Sequence, residues 1–181
     1  STEVVVPPEV PEPLVSNDSA CGPSEFTLRA GKSINTNLIY WYDAPAGGNL
    51  LRIDDSLHLS LADTTRVLWA LERNNSTGCV SARMPVMAKI HPIPAMPVMN
   101  DTSSCGPSSF VLRPAGDSNT SVFRWYDQPV DGSLIQESDT MFTGLLSSGK
   151  TYWASGYNDE TSCESPRKQL DISIFPMPFP L

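Results

Sequence analysis

Four cysteines, Cys21, Cys79, Cys105 and Cys163, are the side chains with the most chemistry to offer. Thiols either hold a soft metal or oxidise to disulfides. Their spacing follows an internal repeat: residues 21–97 align with 105–181 without a gap, every position shifted by 84. Cys21, Trp41 and Cys79 fall on Cys105, Trp125 and Cys163, CGPSEFTLR returns as CGPSSFVLR, and WYDAP returns as WYDQP. Zinc fits poorly, because no CxxC occurs and the two histidines, His58 and His91, correspond to Phe142 and Phe175. Four cysteines permit three pairings. A unit copied whole should carry its own bond, so the expected pairs are Cys21–Cys79 and Cys105–Cys163. In the chain-entropy model, closing such a loop stabilises a module by ~4 kcal/mol. Oxidised cysteines place the chain outside the cytoplasm.

Other chemistry finds little support. A Ser-His-Asp arrangement would depend on His58 or His91, each in strand-like apolar sequence. The acidic pairs Asp54–Asp55 and Asp159–Glu160 lie in expected turns, and neither is repeated in the other copy. Asp43 and Asp127 follow the strand tryptophan in both copies; a shared calcium ligand is one reading, and a turn-initiating carboxylate before Pro45 and Pro129 is the simpler one. Nucleotide-binding glycine loops are absent. No cofactor and no metal is expected, and no enzymatic role.

The elements that would carry these residues alternate with period two. Phe26 and Leu28 match Phe110 and Leu112, Ile39 and Trp41 match Phe123 and Trp125, and Val86, Ala88 and Ile90 match Leu170, Ile172 and Ile174. Positions apolar in both copies face inward, so Phe26, Phe110, Trp41 and Trp125 are core residues. Turn sequences such as PAGGN, ADTT and ERNNSTG separate short apolar runs, giving about seven strands per copy. That pattern, with a Trp between two cysteines, fits an all-β chain of two tandem immunoglobulin-like sandwiches. The second cysteine of each copy follows the strand of Trp69 or Trp153, in a hairpin loop, so the bond should clamp an end of the sandwich. Trp69 and Trp153 alternate with Leu68, Ala70, Tyr152 and Ala154. If those smaller residues face inward, both tryptophans face out, where with Tyr157 they would form a binding surface; packing under the hairpin or against a neighbouring module is the alternative and the favoured one.

Domain limits follow from the same register. Residues 13–96 and 97–181 form the two repeats, and TEVVVPPEVPEP in residues 1–12 superimposes on VMAKIHPIPAMP, with Thr2, Val4 and Val6 on Val86, Ala88 and Ile90. The chain therefore reads as opening on the last strand of a preceding repeat and as a piece of a longer array. HPIPAMPVMND and FPMPFP place Pro at alternate positions, which favours stiff, extended connections. Twelve basic against twenty acidic residues, a net charge of −8, argue against a nucleic-acid partner. No stretch approaches the ~18–20 apolar residues of a membrane span.

The order CGP, FxLR, WYDxPxxG, TYWA and CESPR resembles the immunoglobulin-like repeats associated with type IX secretion in large surface proteins of the Bacteroidetes, gliding-motility adhesins among them. That resemblance covers both copies. It implies export to the bacterial cell surface or beyond, a spacer role between a functional tip and an anchor, and no catalytic residues to transfer. Neighbouring repeats of a longer chain are then the first partners, with surface glycans or other surface proteins as the alternative, or an accessory place in a secreted hydrolase. The Asp-Ser/Thr pattern of Bacteroidetes O-glycosylation is met at Ser19, Ser56, Thr64 and Thr140.

Overall fold

A computed structural model describes residues 9–34 and 37–177. The strand suggested for Thr2, Val4 and Val6 lies outside the described residues. Among the described residues all regular structure is strand, and the chain divides into two units, 1–91 and 92–181.

In the first unit, β1 (Leu14–Ser16), β3 (Ser24–Gly31) and β6 (Ser56–Ala62) make one sheet. β2 (Asp18–Cys21), β8 (Met84–His91), β7 (Arg66–Arg73), β4 (Leu38–Tyr42) and β5 (Leu50–Ile53) make the other, in that order. Side chains from both sheets meet in one core: Phe26, Leu28 and Leu57 from the first, and Ile39, Trp41, Leu68, Ala70, Val86 and Ala88 from the second. Alternation along each strand produces this, since successive side chains take opposite faces. Burying the indole of Trp41 still requires a partner for its N–H. It donates to the Asp54 carbonyl at 2.9 Å, on the turn between β5 and β6.

The second unit repeats the plan. β10 (Ser108–Leu112) pairs with β13 (Met141–Leu146), while β12 (Leu134–Glu137), β11 (Val122–Tyr126), β14 (Lys150–Asn158), β16 (Lys168–Phe175) and β9 (Thr102–Cys105) form the larger sheet, with the two-residue β15 (Cys163–Glu164) beside β14. Trp125 is fully buried and donates to the Ser138 carbonyl at 3.0 Å, the repeat equivalent of the first contact. Leu112, Met141, Tyr152, Ala154, Leu170 and Ile172 surround it, with Phe110 packed partly buried against them.

In each unit the first strand of the larger sheet runs parallel to the last. Asp18 to Cys21 lie opposite Ala88 to His91, and Thr102 to Cys105 opposite Ile172 to Phe175. Gly22 and Gly106 then extend the ladder by one bond each, donating to the carbonyls of His91 and Phe175 at 2.8 Å. Both glycines have positive φ, 66° and 78°, which a residue with a Cβ adopts at a cost. This is the physical content of the CGP motif.

The expected cysteine pairing is not formed. Cys79 and Cys105 are free thiols, whereas Cys21 and Cys163 are disulfide-bonded. Strand direction gives the reason. Parallel pairing sets Cys21 against His91, the last residue of β8, while Cys79 lies in the turn beyond the other end of that strand, past the Ala70–Met84 pair. β8 has eight residues. At ~3.3 Å per residue its ends are roughly 23 Å apart, and a bridged pair needs Cα atoms within about 7 Å. Cys105 beside Phe175 and Cys163 beside Asn158 are separated in the same way along β16.

Candidate functional site

The WYDxPxxG motif builds a turn clasped by an arginine. β4 presents Trp41 to the core and Tyr42 to the outer face, and the Arg83 guanidinium lies 3.5 Å from the centre of the Tyr42 ring. Its Nη1 donates to the carbonyls of Ala44 and Gly47 at 2.6 and 2.7 Å, so one side chain covers the ring and satisfies the turn. Asp43 accepts from the backbone and side-chain nitrogens of Asn49 at 2.7 and 2.8 Å, and these bonds hold its carboxyl below the usual range. A Cβ on Gly48 would collide with the Asp43 carboxylate, which explains the glycine. The second copy matches: Arg167 lies 3.3 Å from the centre of the Tyr126 ring and donates to the Gln128 carbonyl at 2.9 Å, and Asp127 accepts from Ser133 N at 2.7 Å. Both aspartates thus work inside their turns. Among the described residues no group of three His, Cys, Asp or Glu side chains is placed as metal ligands are.

Trp69 and Trp153 share this outer face. Leu68, Ala70, Tyr152 and Ala154 are buried, and each tryptophan is half-exposed. Trp69 stands between Tyr42 and Pro85 on the adjoining strands, and Trp153 between Tyr126 and Gln169. Each module therefore carries a row of Arg, Tyr and Trp on the solvent side of its larger sheet.

Tyr157 belongs to a different contact. The Arg124 guanidinium covers its ring at 3.3 Å and is gripped by Glu137 at 2.7 Å and Glu164 at 3.1 Å. Burial disfavours the charged guanidinium, but those two carboxylates outweigh it and hold its pKa above the ordinary value. Glu164 also accepts from Tyr126 Oη at 2.7 Å and Ser155 Oγ at 2.6 Å; burial pushes its carboxyl up, and the hydrogen bonds pull it further down. The same positions of the first copy hold the same pair exchanged. Tyr40 replaces Arg124, Arg73 replaces Tyr157, and the Arg73 guanidinium sits 5.7 Å from the Tyr40 ring centre with Nη1 donating to the hydroxyl at 3.2 Å. The repeat itself carries the signal for this swap, since Tyr40 aligns with Arg124 and Arg73 with Tyr157.

A family model described as Ig-like domain, CHU_C associated, matches residues 8–92 and 94–176. The chain belongs to this family. No curated protein matches it. Among solved structures it is similar to the immunoglobulin domains 1–4 of Sidekick-1, at 15% identity and a TM-score of 0.45, covering 90% of this chain and 48% of that one. It is also similar to the three N-terminal domains of the highly immunogenic outer capsid protein of bacteriophage RB49, at 8% identity and a TM-score of 0.41, covering 90% and 58%. The chain spans about half the length of these two.

In both Ig-like modules the serine of the CESPR segment has a defined task. Ser81 Oγ accepts from Glu72 N at 2.9 Å and donates to the Ala82 carbonyl; Ser165 does the same with Gly156 N and Pro166. Glu72 has no counterpart in the second module, where Gly156 stands. Fully buried, it accepts from the backbone and hydroxyl of Ser33 and from Asn37 Nδ2. Burial raises its pKa, and those bonds outweigh the effect and leave it below the ordinary glutamate value. Sequence pattern offered no signal for this group. Of the O-glycosylation candidates, Ser19 lies exposed on β2, Thr64 lies exposed in the β6–β7 turn, and Ser56 and Thr140 are half-buried.

Proposed function

We propose that these Ig-like modules are load-bearing spacers of a larger secreted surface protein, a non-catalytic stalk at the bacterial cell surface. The parallel pairing of first and last strands carries the reading. Tension applied through the ends of a module pulls such strands past one another, so the bonds of the ladder are loaded together, whereas a strand peeled from its end loses them singly. The Asp18–Cys21 and Thr102–Cys105 ladders have the same length and the same added glycine bond. The proline-rich leads agree with this use, since Val10 and Pro13, and at the same register Pro94 and Pro97, are buried. Placement in a type IX-exported adhesin of a gliding bacterium is the specific form of the proposal, and neighbouring repeats are its partners.

Single-molecule pulling tests it. With disulfides reduced, each module should unfold in one high-force event, lengthening by up to ~3.4 Å per residue freed, and Ala20→Pro, which deletes the N–H that faces β8 on the same side as that of Gly22, should lower the force of the first module alone. Two low-force events indifferent to that change would refute the spacer role.

The half-exposed outer tryptophans favour a second reading, adhesion to glycans or proteins through Trp69 and Trp153, because exposed aromatic rings stack on sugars and anchor interfaces. Screening the chain and its Trp69→Ala, Trp153→Ala variant against a glycan array decides it: binding lost in the variant supports adhesion, and no binding by either chain rejects glycan recognition.

A further inference from the structure

Neither free thiol has a possible partner inside its own module, and the repeat identifies one outside it. Cys105 occupies the position of Cys21, and Cys79 that of Cys163. One cysteine of each position is disulfide-bonded, while its equivalent in the other copy is a free thiol. The same position in the same local frame therefore supports a bond. The first position lies beside the last residue of the closing strand, and the second lies in the hairpin at that strand's opposite end. The two bonded cysteines are one of each position, Cys21 a first and Cys163 a second, so a first position pairs with a second. Cys105 is exposed, and Cys79 is half-exposed in the turn closed by Asn74 N and the Cys79 carbonyl at 2.9 Å.

We infer that Cys79 and Cys105 are disulfide-forming sites for further modules of the same kind, each first-position cysteine bonding a second-position cysteine of another module. The partner is thus a module like this one, a choice that rests on the spacer reading. Bond formation needs an acceptor of two electrons, a role filled by a small-molecule disulfide such as oxidised glutathione. One thiolate attacks it and releases one glutathione, the second thiolate displaces the other glutathione from the mixed disulfide, and the two thiol protons end on the two glutathiones.

A second copy of this chain serves as the probe. Oxidation of a mixture of isotope-labelled and unlabelled chain in glutathione buffer should give a ladder on a non-reducing gel, with labelled Cys79 peptides joined to unlabelled Cys105 peptides. Cys79→Ser and Cys105→Ser should each stay monomeric alone, and their mixture should give a dimer and nothing larger. Either variant dimerising alone as readily as the mixture, a Cys79–Cys105 link within one chain, or thiols still open to alkylation after oxidation would each overturn the pairing. The pulling experiment judges the spacer reading separately, through a readout that these outcomes do not touch.

Discussion

Replacing Glu72 with Gln isolates the buried network of the first module, because the second has Gly156 there and acts as an internal control. The carboxylate accepts from three donors: Ser33 N at 3.0 and 2.9 Å, Ser33 Oγ at 2.6 Å and Asn37 Nδ2 at 2.5 Å. Glutamine in its better orientation keeps an oxygen at the Oε1 position for all three donors, but sets its NH2 where Oε2 accepts from Ser33 N at 2.9 Å, donor against donor, and removes the charge. Losing charge assistance costs about 1 kcal/mol per bond, or ~2–3 kcal/mol in all. For a domain of this size that lowers Tm by roughly 10–20 °C. Hydrogen exchange read by mass spectrometry resolves the two modules: slow amides of β7 should lose protection by about 30- to 150-fold, at tenfold per 1.4 kcal/mol, while those of β14 stay unchanged. The effect should also depend on pH. Because the folded pKa of Glu72 is depressed, the folded state binds fewer protons, and the contribution is complete above the unfolded value of ~4.3 and disappears as pH falls through the folded value. The gap between wild type and variant should therefore close in acid. Unchanged protection in β7, or a gap indifferent to acid, would refute the assignment.

Arg83→Ala should destabilise the first module, and Arg167→Ala the second, by ~1–2 kcal/mol each, through loss of the stacked ring and of the turn carbonyls' donor; module-resolved exchange checks that each effect stays in its own module. Tyr40→Arg should destabilise by bringing a second guanidinium beside Arg73, and adding Arg73→Tyr should recover roughly 0.5–1 kcal/mol by recreating the cation–ring pair of the second module without its carboxylates, since Ile53 and Val80 stand where Glu137 and Glu164 do, as measured in a double-mutant cycle by denaturant unfolding. Without reductant, Cys79→Ser should alter the unfolding free energy of the first module by less than about 0.5 kcal/mol, as a surface substitution does; a loss near the ~4 kcal/mol of a lost loop closure would restore the bond within the module.

Much of the architecture was legible in the chain because it depends on rules that act locally. Side chains alternate across a strand whatever the strand packs against, so Phe26, Leu28, Ile39, Trp41, Val86 and Ala88 could be assigned to the core from period and repetition. Trp69 and Trp153 could be placed opposite Leu68 and Tyr152 by the same rule, although burial under a hairpin was the favoured alternative. Turn carboxylates at Asp43 and Asp127 were visible because an aspartate before Pro and Gly bonds its own turn. Arg83 lies thirty-nine residues from Ala44, its carbonyl acceptor, and no local rule connects them.

Cysteine pairing belonged to the tertiary structure alone. A repeat states which positions are equivalent, and a disulfide depends on which positions are close. Had β2 run against β8 in the opposite sense, Cys21 would lie near the end where Cys79 turns; the parallel pairing carries it to the far end. Direction of pairing between strands seventy residues apart is decided by how two sheets close over one core, a property of the folded whole that no short segment encodes.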